Sequence, residues 1–395
     1  PAEGLVPVAR VHGVTSLVHA FGTTCALAGG EGWCWGSNQG GRLGVPAPDS
    51  FHPSARIAGI DDAAALFVTS GTACVRRSAG GLACWGEQLA GFGDAPWALP
   101  ALHAIAGVDA VSGQTSSGVL LTASGAVRGF GELSPAYYVQ TSAAPVVMED
   151  EDLHTWTVGD VVQNATSTEI PGIAGRVVEV AAARTLACVR TSDGALDCFH
   201  RGEVRRDGAL VPALSSVTRV VEAGVTRVAP LGPGICAQTT RGMRCYGVIR
   251  EVDANGPSGG ILRVRDEPWP LEGGADAWAG DFRWACGLRG TAVHCRMTVS
   301  PPPGEGREEQ RLADVTALAL GAGERGATLC GITTQRGVAC VALNEDSPPT
   351  AVEGLSNVVE LRLGTGFGCA RHEDGTVSCW GRNESGVLPR DGDVV

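Results

Sequence analysis

Cysteine is the residue type with the most regular spacing in this sequence. All 14 cysteines fall into seven pairs, and eight or nine residues separate the two members of each pair. The pairs are Cys25 with Cys34, Cys74 with Cys84, Cys188 with Cys198, Cys236 with Cys245, Cys286 with Cys295, Cys330 with Cys340, and Cys369 with Cys379. Thiols at such a spacing can serve one of two chemistries, namely disulfide formation or coordination of a metal ion such as zinc.

The spacing favours disulfides over a metal site. Zinc sites usually draw four ligands from C-x(2–4)-C knuckles, whereas each cysteine pair here stands alone in its own stretch of chain. Directly opposed residues of antiparallel strands have Cα atoms about 4.5–5.5 Å apart, which overlaps the geometry of a disulfide. We therefore expect seven disulfides and no metal site. So many disulfides indicate an oxidising compartment, which means a secreted, cell-surface or periplasmic protein.

The other reactive residue types form no catalytic pattern. The eight histidines are scattered without an H-x-x-x-H or H-x-H pair, and no nucleophile-elbow, P-loop or dinucleotide-binding motif is found. We therefore expect no catalytic residue set and no cofactor. One enzymatic alternative stays open, because carboxylates from distant parts of the chain can converge in a folded protein. The candidates are Asp61, Asp62, Asp109, Glu222 and Asp276.

Each cysteine pair is embedded in the same short pattern. A glycine-containing turn such as Asp374-Gly375 usually lies between the two cysteines, and an aromatic residue, often with glycine, follows the second one. This order is typical of a β-hairpin, with a strand, a tight turn and a second strand. Trp35, Trp85 and Trp380 occupy one position of the pattern, so we expect them to pack between neighbouring units.

An eighth copy of the pattern, residues 118–131, has no cysteine. Val119 and Gly129 stand where the two cysteines would be, so we expect them to face each other across a hairpin. This hairpin should be the weakest, because it lacks a disulfide and because glycine in a strand costs about 0.5–1 kcal/mol relative to alanine. On this reasoning, replacing both residues by cysteine should create an eighth disulfide.

The segments before the hairpins complete the repeat. An apolar stretch that often contains glycine comes first, for example residues 57–60 and 352–355, and a second apolar stretch such as residues 358–361 follows. Two such strands and a hairpin make four strands per unit, which predicts the blades of an all-β propeller. We favour eight blades over seven, in a single domain of residues 1–395. The N-terminal segment should complete the last blade and close the ring.

Three stretches resemble the W-G-x-N-x-x-G-Q-L-G signature of the regulator of chromosome condensation (RCC1) family. Residues 35–44 are the best copy, residues 380–388 are a slightly worn copy, and residues 84–86 with 91–94 are a third. The middle units keep the rhythm of the repeat but lose the Trp-Gly step. The resemblance implies a β-propeller, and members of the family usually have seven blades.

The resemblance also carries expectations about function. The family's best-known activity is nucleotide exchange on a nuclear GTPase, which belongs to a reducing compartment and conflicts with seven disulfides. Secreted bacterial proteins of this style include a β-lactamase inhibitor that binds its target with one face of the ring. A shared fold does not fix function, so both comparisons are analogies.

The composition argues against some classes of partner. The formal net charge is -12, all basic residues are arginine, and the arginines form no stripe, so we expect no nucleic-acid partner. No run of 18 apolar residues is present, so we expect no membrane-spanning helix. The exclusive use of arginine hints at a GC-rich bacterial genome. Because the sequence starts at Pro1, we expect a mature or trimmed chain.

One segment interrupts the repeat, at about residues 132–168. Long loops on a rigid scaffold often carry binding residues, and tyrosine and tryptophan make efficient anchors. The candidate binding residues are Tyr137, Tyr138, Asp150, Asp152 and Trp156. The simpler alternative is a tolerated surface insertion whose aromatic residues pack on the ring. The acidic run could also hold calcium, but it lacks the D-x-D-x-D-G loop pattern.

These observations favour a binding scaffold over an enzyme. We expect a monomeric propeller that uses one loop-bearing face to bind another protein or, less favoured, a glycan. The rival hypothesis is an enzyme whose carboxylates converge at the central channel of the ring.

Overall fold

The computed structural model describes residues 3–381, apart from 9, 21, 39–40, 45–50, 69–71, 87–106, 115–116, 131–132, 134–145, 150–154, 159–167, 184, 207–208, 232–233, 252–260, 268–273, 282, 298–307 and 322–325. These described residues form β-strands and turns and contain no α-helix. Accordingly, the described part of the chain has no helix that is long and apolar enough to cross a membrane. The strands are numbered β1 to β34 in chain order and are grouped below into blades.

The first four blades follow one another along the chain. Blade 1 contains β2 (Val14–Ala20), β3 (Thr23–Ala28), β4 (Glu31–Ser37) and β5 (Phe51–Arg56). Blade 2 contains β6 (Ala63–Val68), β7 (Thr72–Arg77) and β8 (Leu82–Gly86). Blade 3 contains β9 (Val108–Gln114), β10 (Ser117–Thr122), β11 (Val127–Phe130) and β14 (Thr168–Glu169). Blade 4 contains β15 (Val177–Ala182), β16 (Leu186–Thr191), β17 (Leu196–Arg206), β18 (Ala209–Leu214) and β19 (Thr218–Val221).

The last four blades complete the set. Blade 5 contains β20 (Val225–Leu231), β21 (Gly234–Thr239), β22 (Gly242–Glu251) and β23 (Ile261–Glu267). Blade 6 contains β24 (Ala277–Gly280), β25 (Trp284–Arg289), β26 (Ala292–Met297) and β27 (Glu309–Leu312). Blade 7 contains β28 (Val315–Gly321), β29 (Thr328–Thr333), β30 (Val338–Ala342) and β31 (Thr350–Ala351). Blade 8 contains β32 (Val358–Leu363), β33 (Phe367–His372), β34 (Val377–Gly381) and β1 (Glu3–Pro7).

The eight blades form a closed propeller. First strands of neighbouring blades contact each other, as β9 does with β15, β28 with β32, and β32 with β2. The ring closes because β1 pairs with β34 inside the last blade, with Val6 opposite Cys379 and Pro7 opposite Ser378. The predicted all-β propeller with eight blades built on four strands is confirmed, although blade 2 has three strands among the described residues and blade 4 has a fifth. Its closure by the N-terminal strand is confirmed as well.

A recurrent backbone contact joins consecutive blades. The N–H group of the first residue of an inner strand donates a hydrogen bond to a carbonyl in the hairpin turn of the preceding blade. Six junctions show this bond, at 2.5–3.0 Å: Val14 to Gly375, Ala63 to Gly30, Val108 to Gly80, Val225 to Gly194, Val315 to Thr291 and Val358 to Arg336.

The entry into the inner strand requires an unusual backbone conformation. In five blades the residue just before the strand has a positive φ, which glycine, asparagine and aspartate tolerate best. These residues are Gly13, Gly107, Gly224, Asp314 and Asn357. A β-bulge follows within the first three residues of most inner strands, for example between Val358 and Glu360. The bulge bends the strand as it enters the ring.

The hydrophobic core lies between the blades. Trp35 of blade 1 is fully buried among residues of blade 8 that include Phe367 and Val377. Trp85 of blade 2 packs in the same way against Leu27 and other residues of blade 1. Trp380 of blade 8 is partly buried against a cluster that includes Ile332 and Val338 of blade 7. The prediction that the three tryptophans pack between units is therefore confirmed.

All seven predicted disulfides are formed, and no described cysteine is free. In each pair the two cysteines are direct register partners on the second and third strands of a blade, and their Cα atoms lie 4.0–4.1 Å apart. Each disulfide closes a loop within one hairpin, and none connects two blades. In blade order, Cys25 is bonded to Cys34, Cys74 to Cys84, Cys188 to Cys198, Cys236 to Cys245, Cys286 to Cys295, Cys330 to Cys340, and Cys369 to Cys379.

The hairpin without cysteine pairs as predicted, but its glycine has another role. Val119 and Gly129 are register partners on β10 and β11. A Cβ atom at position 129 would overlap the backbone carbonyl of Leu133, which is fully buried beside it. The proposed eighth disulfide is therefore wrong, because the chain beyond the hairpin occupies the space that a cysteine side chain would need. That this hairpin is the weakest stays a prediction.

The apolar stretches before the inner strands are turns, which corrects the sequence interpretation. Residues 57–60, 170–173 and 352–355 follow the outer strands β5, β14 and β31 rather than forming strands themselves. Gly59, Gly172 and Gly354 have positive φ in these turns. The apolar residues beside the glycines are buried under the blades, as Ile57 and Ile60 are. Their apolar character reflects burial and not strand pairing.

The close approach at Gly129 predicts a measurable cost of substitution. Gly129→Ala should lower the free energy of unfolding by about 1–3 kcal/mol, because the new methyl group forces the Leu133 backbone away. Chemical denaturation followed by far-UV circular dichroism measures this difference.

Gly337→Ala is the matched control in another hairpin. Its φ is not positive, and its Cβ would meet Thr333 Oγ1 at 3.4 Å, an ordinary contact. We expect this variant to be neutral or stabilised by about 0.4–1 kcal/mol, since alanine restricts the unfolded chain. Equal behaviour of the two variants would contradict the packing explanation.

Candidate functional site

The strand order gives the ring two different faces. The turns between second and third strands and the links between blades lie on one face, which we call the turn face. The connections between first and second strands and between third and fourth strands lie on the opposite face, which we call the loop face. This division follows from antiparallel pairing, because consecutive connections alternate between the two ends of a blade.

The loop face carries the largest departures from the repeat. Residues 131–167 connect β11 to β14 on this face and include a separate hairpin of β12 (Val146–Glu149) and β13 (Thr155–Val158). In blade 4 the C-terminal part of β17, Arg201–Arg206, pairs with β18, whereas its first residues, Leu196–Cys198, pair with β19. In blade 5 the whole of β23 pairs with β22, from Cys245 to Glu251 of β22.

Two β-ribbons therefore continue past the sheets of adjacent blades. We call them ribbon 4 (β17 with β18) and ribbon 5 (β22 with β23). The strands β17 and β23 contact each other, so the two ribbons are neighbours. An isolated two-stranded ribbon is only marginally stable. Contact between the ribbons is therefore a means of holding them in place.

Of the predicted binding residues, the structure describes Trp156, by its backbone alone. Trp156 lies on β13, where its backbone pairs opposite Met148. Tyr137, Tyr138, Asp150 and Asp152 lie outside the described residues.

The signature residues of the best repeat copy form a link between blades 1 and 2. Asn38 Oδ1 accepts a hydrogen bond from the backbone N–H of Leu43 at 2.9 Å. The Trp85 indole Nε1 donates to the carbonyl of Arg42 at 2.8 Å. Leu43 is fully buried under this loop. The motif thus serves structure, because asparagine shapes the loop and the next blade's tryptophan anchors it.

A charged network holds the seam between blades 8 and 1. Glu360 Oε2 accepts a hydrogen bond from the backbone N–H of Leu17 at 3.2 Å, and Arg362 Nε donates to the Leu17 carbonyl at 2.9 Å. Glu360 also forms ion pairs with Arg362 at 2.8 Å and with Arg371 at 2.9 Å. These bonds join residues of the first and last blades.

His19 is a neutral histidine at the same seam. Its ring contacts the Phe367 ring of blade 8 edge-on, with centroids 4.8 Å apart, and its Nδ1 lies 3.0 Å from Thr24 Oγ1. Desolvation by burial, helped by the positive charge of Arg42, lowers the pKa of His19 from 6.5 to about 4. The side chain is therefore uncharged at neutral pH.

The carboxylates considered for an enzymatic site have local partners where the structure gives them. Asp62 forms an ion pair with Arg77 at 2.6 Å. Asp276 Oδ2 accepts a hydrogen bond from the backbone N–H of Gly290 at 2.9 Å. Among the described residues, no group of three or more His, Cys, Asp or Glu side chains could hold a metal ion.

A cavity of about 580 Å³ lies on the turn face between blades 5 and 6. Its lining includes Arg227, Gln238, Asp276, Trp278 and Arg289. The Arg227 guanidinium lies over the indole ring of Trp278, with its Cζ 4.6 Å from the ring centroid. Two contacts hold the Arg289 side chain in place: its Nε donates to the Gly274 carbonyl at 3.0 Å, and its Nη1 forms an ion pair with Glu308 at 2.6 Å.

Three polar atoms of this cavity's lining residues are buried without a hydrogen-bond partner. They are Gln238 Oε1, Trp278 Nε1 and Arg289 Nη2. Leaving a buried polar group unsatisfied costs about 1–3 kcal/mol, so three of them in one place need an explanation. No motif in the sequence predicted this cavity. The signal was available, since Arg227, Trp278 and Arg289 each differ in chemistry from most of their counterparts in other blades.

Sequence comparison agrees with this architecture. A family model described as regulator of chromosome condensation (RCC1) repeat matches residues 358–387, which include the three consecutive strands of blade 8. The chain is an RCC1-like β-propeller. No curated protein sequence matches the propeller significantly.

Solved structures resemble the propeller in fold. The crystal structure of human WBSCR16 aligns at a TM-score of 0.53 with 15% identity, covering 89% of this chain and 98% of that chain. Prp20p from Saccharomyces cerevisiae, crystallised in work that also describes its binding to Gsp1p and histones, aligns at 0.48 with 11% identity, covering 93% and 82%. The CRINKLY WD40 ectodomain of the Arabidopsis thaliana receptor kinase ACR4 aligns at 0.44 with 15% identity, covering 96% and 99%.

The lowered pKa of His19 predicts how the propeller responds to acid. Between pH 6.5 and about 4 the unfolded chain binds a proton at His19 and the folded chain does not, so stability falls as the pH falls through this window. Between pH 7 and pH 5, the free energy of unfolding should fall by roughly 1–2 kcal/mol more in the wild type than in His19→Gln. Urea denaturation at the two pH values measures this difference.

His12→Gln is the control, since His12 is exposed. This variant should keep the wild-type response to pH. If His19→Gln also kept it, His19 would not be the group responsible.

Proposed function

We propose that the chain is a secreted or surface-attached binding scaffold that holds a protein partner against its loop face. The observation that carries the proposal is the pair of adjacent ribbons that extend from blades 4 and 5 on this face. Loops and ribbons on a rigid scaffold are where binding residues concentrate. In keeping with this, RCC1-like propellers are typical protein-interaction scaffolds.

The ribbons favour contact through side chains over strand addition. The strand β18 pairs only with β17 among the described strands, so one of its edges is open. An open edge can accept an extended segment of a partner. However, β18 contains Pro212, which lacks an N–H group and weakens such an edge. The partner is therefore expected to rest on the ribbons and on the connection of residues 131–167.

The binding residues that we propose are Tyr137, Tyr138, Asp150, Asp152 and Trp156. Aromatic anchors provide most of the energy in protein interfaces, and nearby charges improve specificity. Since several such residues occur together in one connection, a protein partner is favoured over a glycan. We further propose that residues 1–395 act as one monomeric domain.

Variants on the two faces should separate in a binding assay. A panel of purified extracellular proteins is screened by biolayer interferometry against the immobilised chain. For a partner found in this way, Tyr137→Ala and Trp156→Ala should each weaken binding at least tenfold, because the loss of an aromatic anchor costs about 1–2 kcal/mol or more.

Arg336→Ala is the control on the turn face. Arg336 is exposed in the hairpin turn of blade 7, and it forms an ion pair with Glu373 of blade 8 at 2.6 Å. Both hairpin turns lie on the turn face, opposite the loop face. The affinity of the Arg336→Ala variant for the partner should equal that of the wild type. Loss of affinity in this variant alone, or turnover in a hydrolase screen without any partner, would contradict the proposal.

The oxidising location is tested separately by counting thiols. Seven disulfides leave no free cysteine. Native chain treated with iodoacetamide under denaturing conditions should keep its mass, whereas reduced chain should gain 14 adducts, one for each cysteine. Intact-mass spectrometry gives the count, and free thiols throughout the native chain would rule out secretion through an oxidising compartment.

A further inference from the structure

Blade 5 lacks an ion pair that two other blades have at the same position. The third residue of the inner strand, directly after the bulge, is the register partner of a residue on the second strand. In blades 4 and 8 these partners form ion pairs, Glu179 with Arg190 at 2.8 Å and Glu360 with Arg371 at 2.9 Å. In blade 5 the partners are Arg227 and Gln238. Arg227 therefore carries a positive charge with no carboxylate partner among the described residues, and it is exposed.

Blade 6 has an unusual residue opposite this arginine. Trp278 pairs with Gly287, the residue after the first cysteine of the blade. The inner-strand residues at the same position in the other seven blades are all aliphatic, and four of them, Leu17, Val180, Val228 and Leu361, are buried. Trp278 is only half-buried, and its ring meets Arg227 of the neighbouring blade.

Arg289 is the third departure at this junction. It stands three residues after the first cysteine of the blade. In four other blades the equivalent position holds a threonine that bonds back to its own hairpin turn, namely Thr122, Thr191, Thr239 and Thr333, whereas blade 2 also has an arginine there, Arg77. Arg289 instead reaches the link between the blades, and it keeps Nη2 without a partner.

All three substitutions meet at the cavity on the turn face between blades 5 and 6. We propose that this cavity binds a small hydroxylated carboxylate of the sugar-acid class. The carboxylate would pair with Arg227, and its hydroxyl groups would bond to Gln238 Oε1 and to Asp276. This site is independent of the proposed protein-binding function, because it lies on the opposite face of the ring.

The chemistry of the lining selects this class of ligand. Guanidinium groups bind carboxylates through paired, charge-assisted hydrogen bonds. Trp278 Nε1 and Arg289 Nη2 add two further donors, which suit oxygen acceptors. Gln238 Oε1 is a buried acceptor without a donor, and the exposed carboxylate of Asp276, which already accepts from the Gly290 N–H group, has room for a further donor. Hydroxyl groups of the ligand provide such donors. A simple anion would satisfy the donors but not the acceptors.

The Arg227 guanidinium covers the indole of Trp278. Among the described contacts, only this cation–π interaction holds it. A ligand carboxylate can draw the guanidinium away from the ring. The indole then becomes reachable. Tryptophan fluorescence should therefore change when the ligand binds.

Titration with named sugar acids tests the proposal. D-Glucuronate and D-gluconate, a ring and an open-chain form of the same chemistry, are added to the full chain and followed by calorimetry and fluorescence. At least one should bind saturably with a dissociation constant of about 1 mM or tighter, which is reasonable for a ligand of this size. D-Glucose and acetate, which each lack one half of the chemistry, should bind at least tenfold more weakly.

Two variants and one matched control locate the site. Arg227→Gln should weaken binding at least tenfold, and it should fold because Arg227 is exposed. Trp278→Phe keeps an aromatic ring but removes the N–H group, so it should weaken binding and abolish the fluorescence change. Arg336→Gln removes the same charge from another exposed position on the turn face, and it should bind like the wild type.

Several results would overturn the proposal. These are the absence of saturable binding, equal affinity in Arg227→Gln and wild type, or sulfate binding as tightly as the sugar acids, which would indicate an adventitious ion only. Stronger binding of an acidic peptide such as Gly-Asp-Gly would reassign the cavity to a protein partner. Trp156→Ala, in the connection between β11 and β14, should leave sugar-acid binding unchanged. Failure of the sugar-acid proposal and failure of the protein-binding proposal are therefore distinguishable.

Discussion

A backbone hydrogen bond from the first residue of an inner strand to the hairpin turn of the preceding blade joins neighbouring blades at six of the eight junctions. At five of the six junctions the chain enters the strand through a residue in a left-handed conformation, which explains glycine, aspartate or asparagine at positions such as Gly13, Asp314 and Asn357. Because the interblade core packs behind this contact, its residues can vary in shape as long as they stay apolar. The ring therefore tolerates wide variation of its own repeat pattern along the chain.

This contact also explains why the two faces differ. The turn face carries the bonds between blades, so its turns are short and repetitive. The loop face carries fewer of them, and its connections can lengthen without disturbing the ring, as residues 131–167 and the ribbons of blades 4 and 5 do. Since loop closure entropy grows only slowly with length, such insertions cost little stability. The fold thus keeps closure and variation on opposite sides.

Local patterns predicted most of the fold, and contacts between distant residues were what they missed. Cysteine spacing indicated the hairpins, and even Val119 opposite Gly129 was found from it. The reason for Gly129 was not predictable, because it depends on where Leu133 returns after the hairpin. The cavity was missed for a related reason. Arg227 and Trp278 lie in different blades, and each is an ordinary residue until the register shows what usually stands in its place.

The ring is closed by strand pairing, and every disulfide lies within one hairpin. The blades are therefore linked covalently only by the polypeptide backbone. Glu3 and Gly381 are register partners, so the two ends of the described chain lie side by side. A circular permutant that joins these ends by a short linker and opens the link between two other blades would cut no disulfide and no strand. Blade 8 would then be formed by one uninterrupted segment of chain, and the break in the chain would move to the junction that received the new termini.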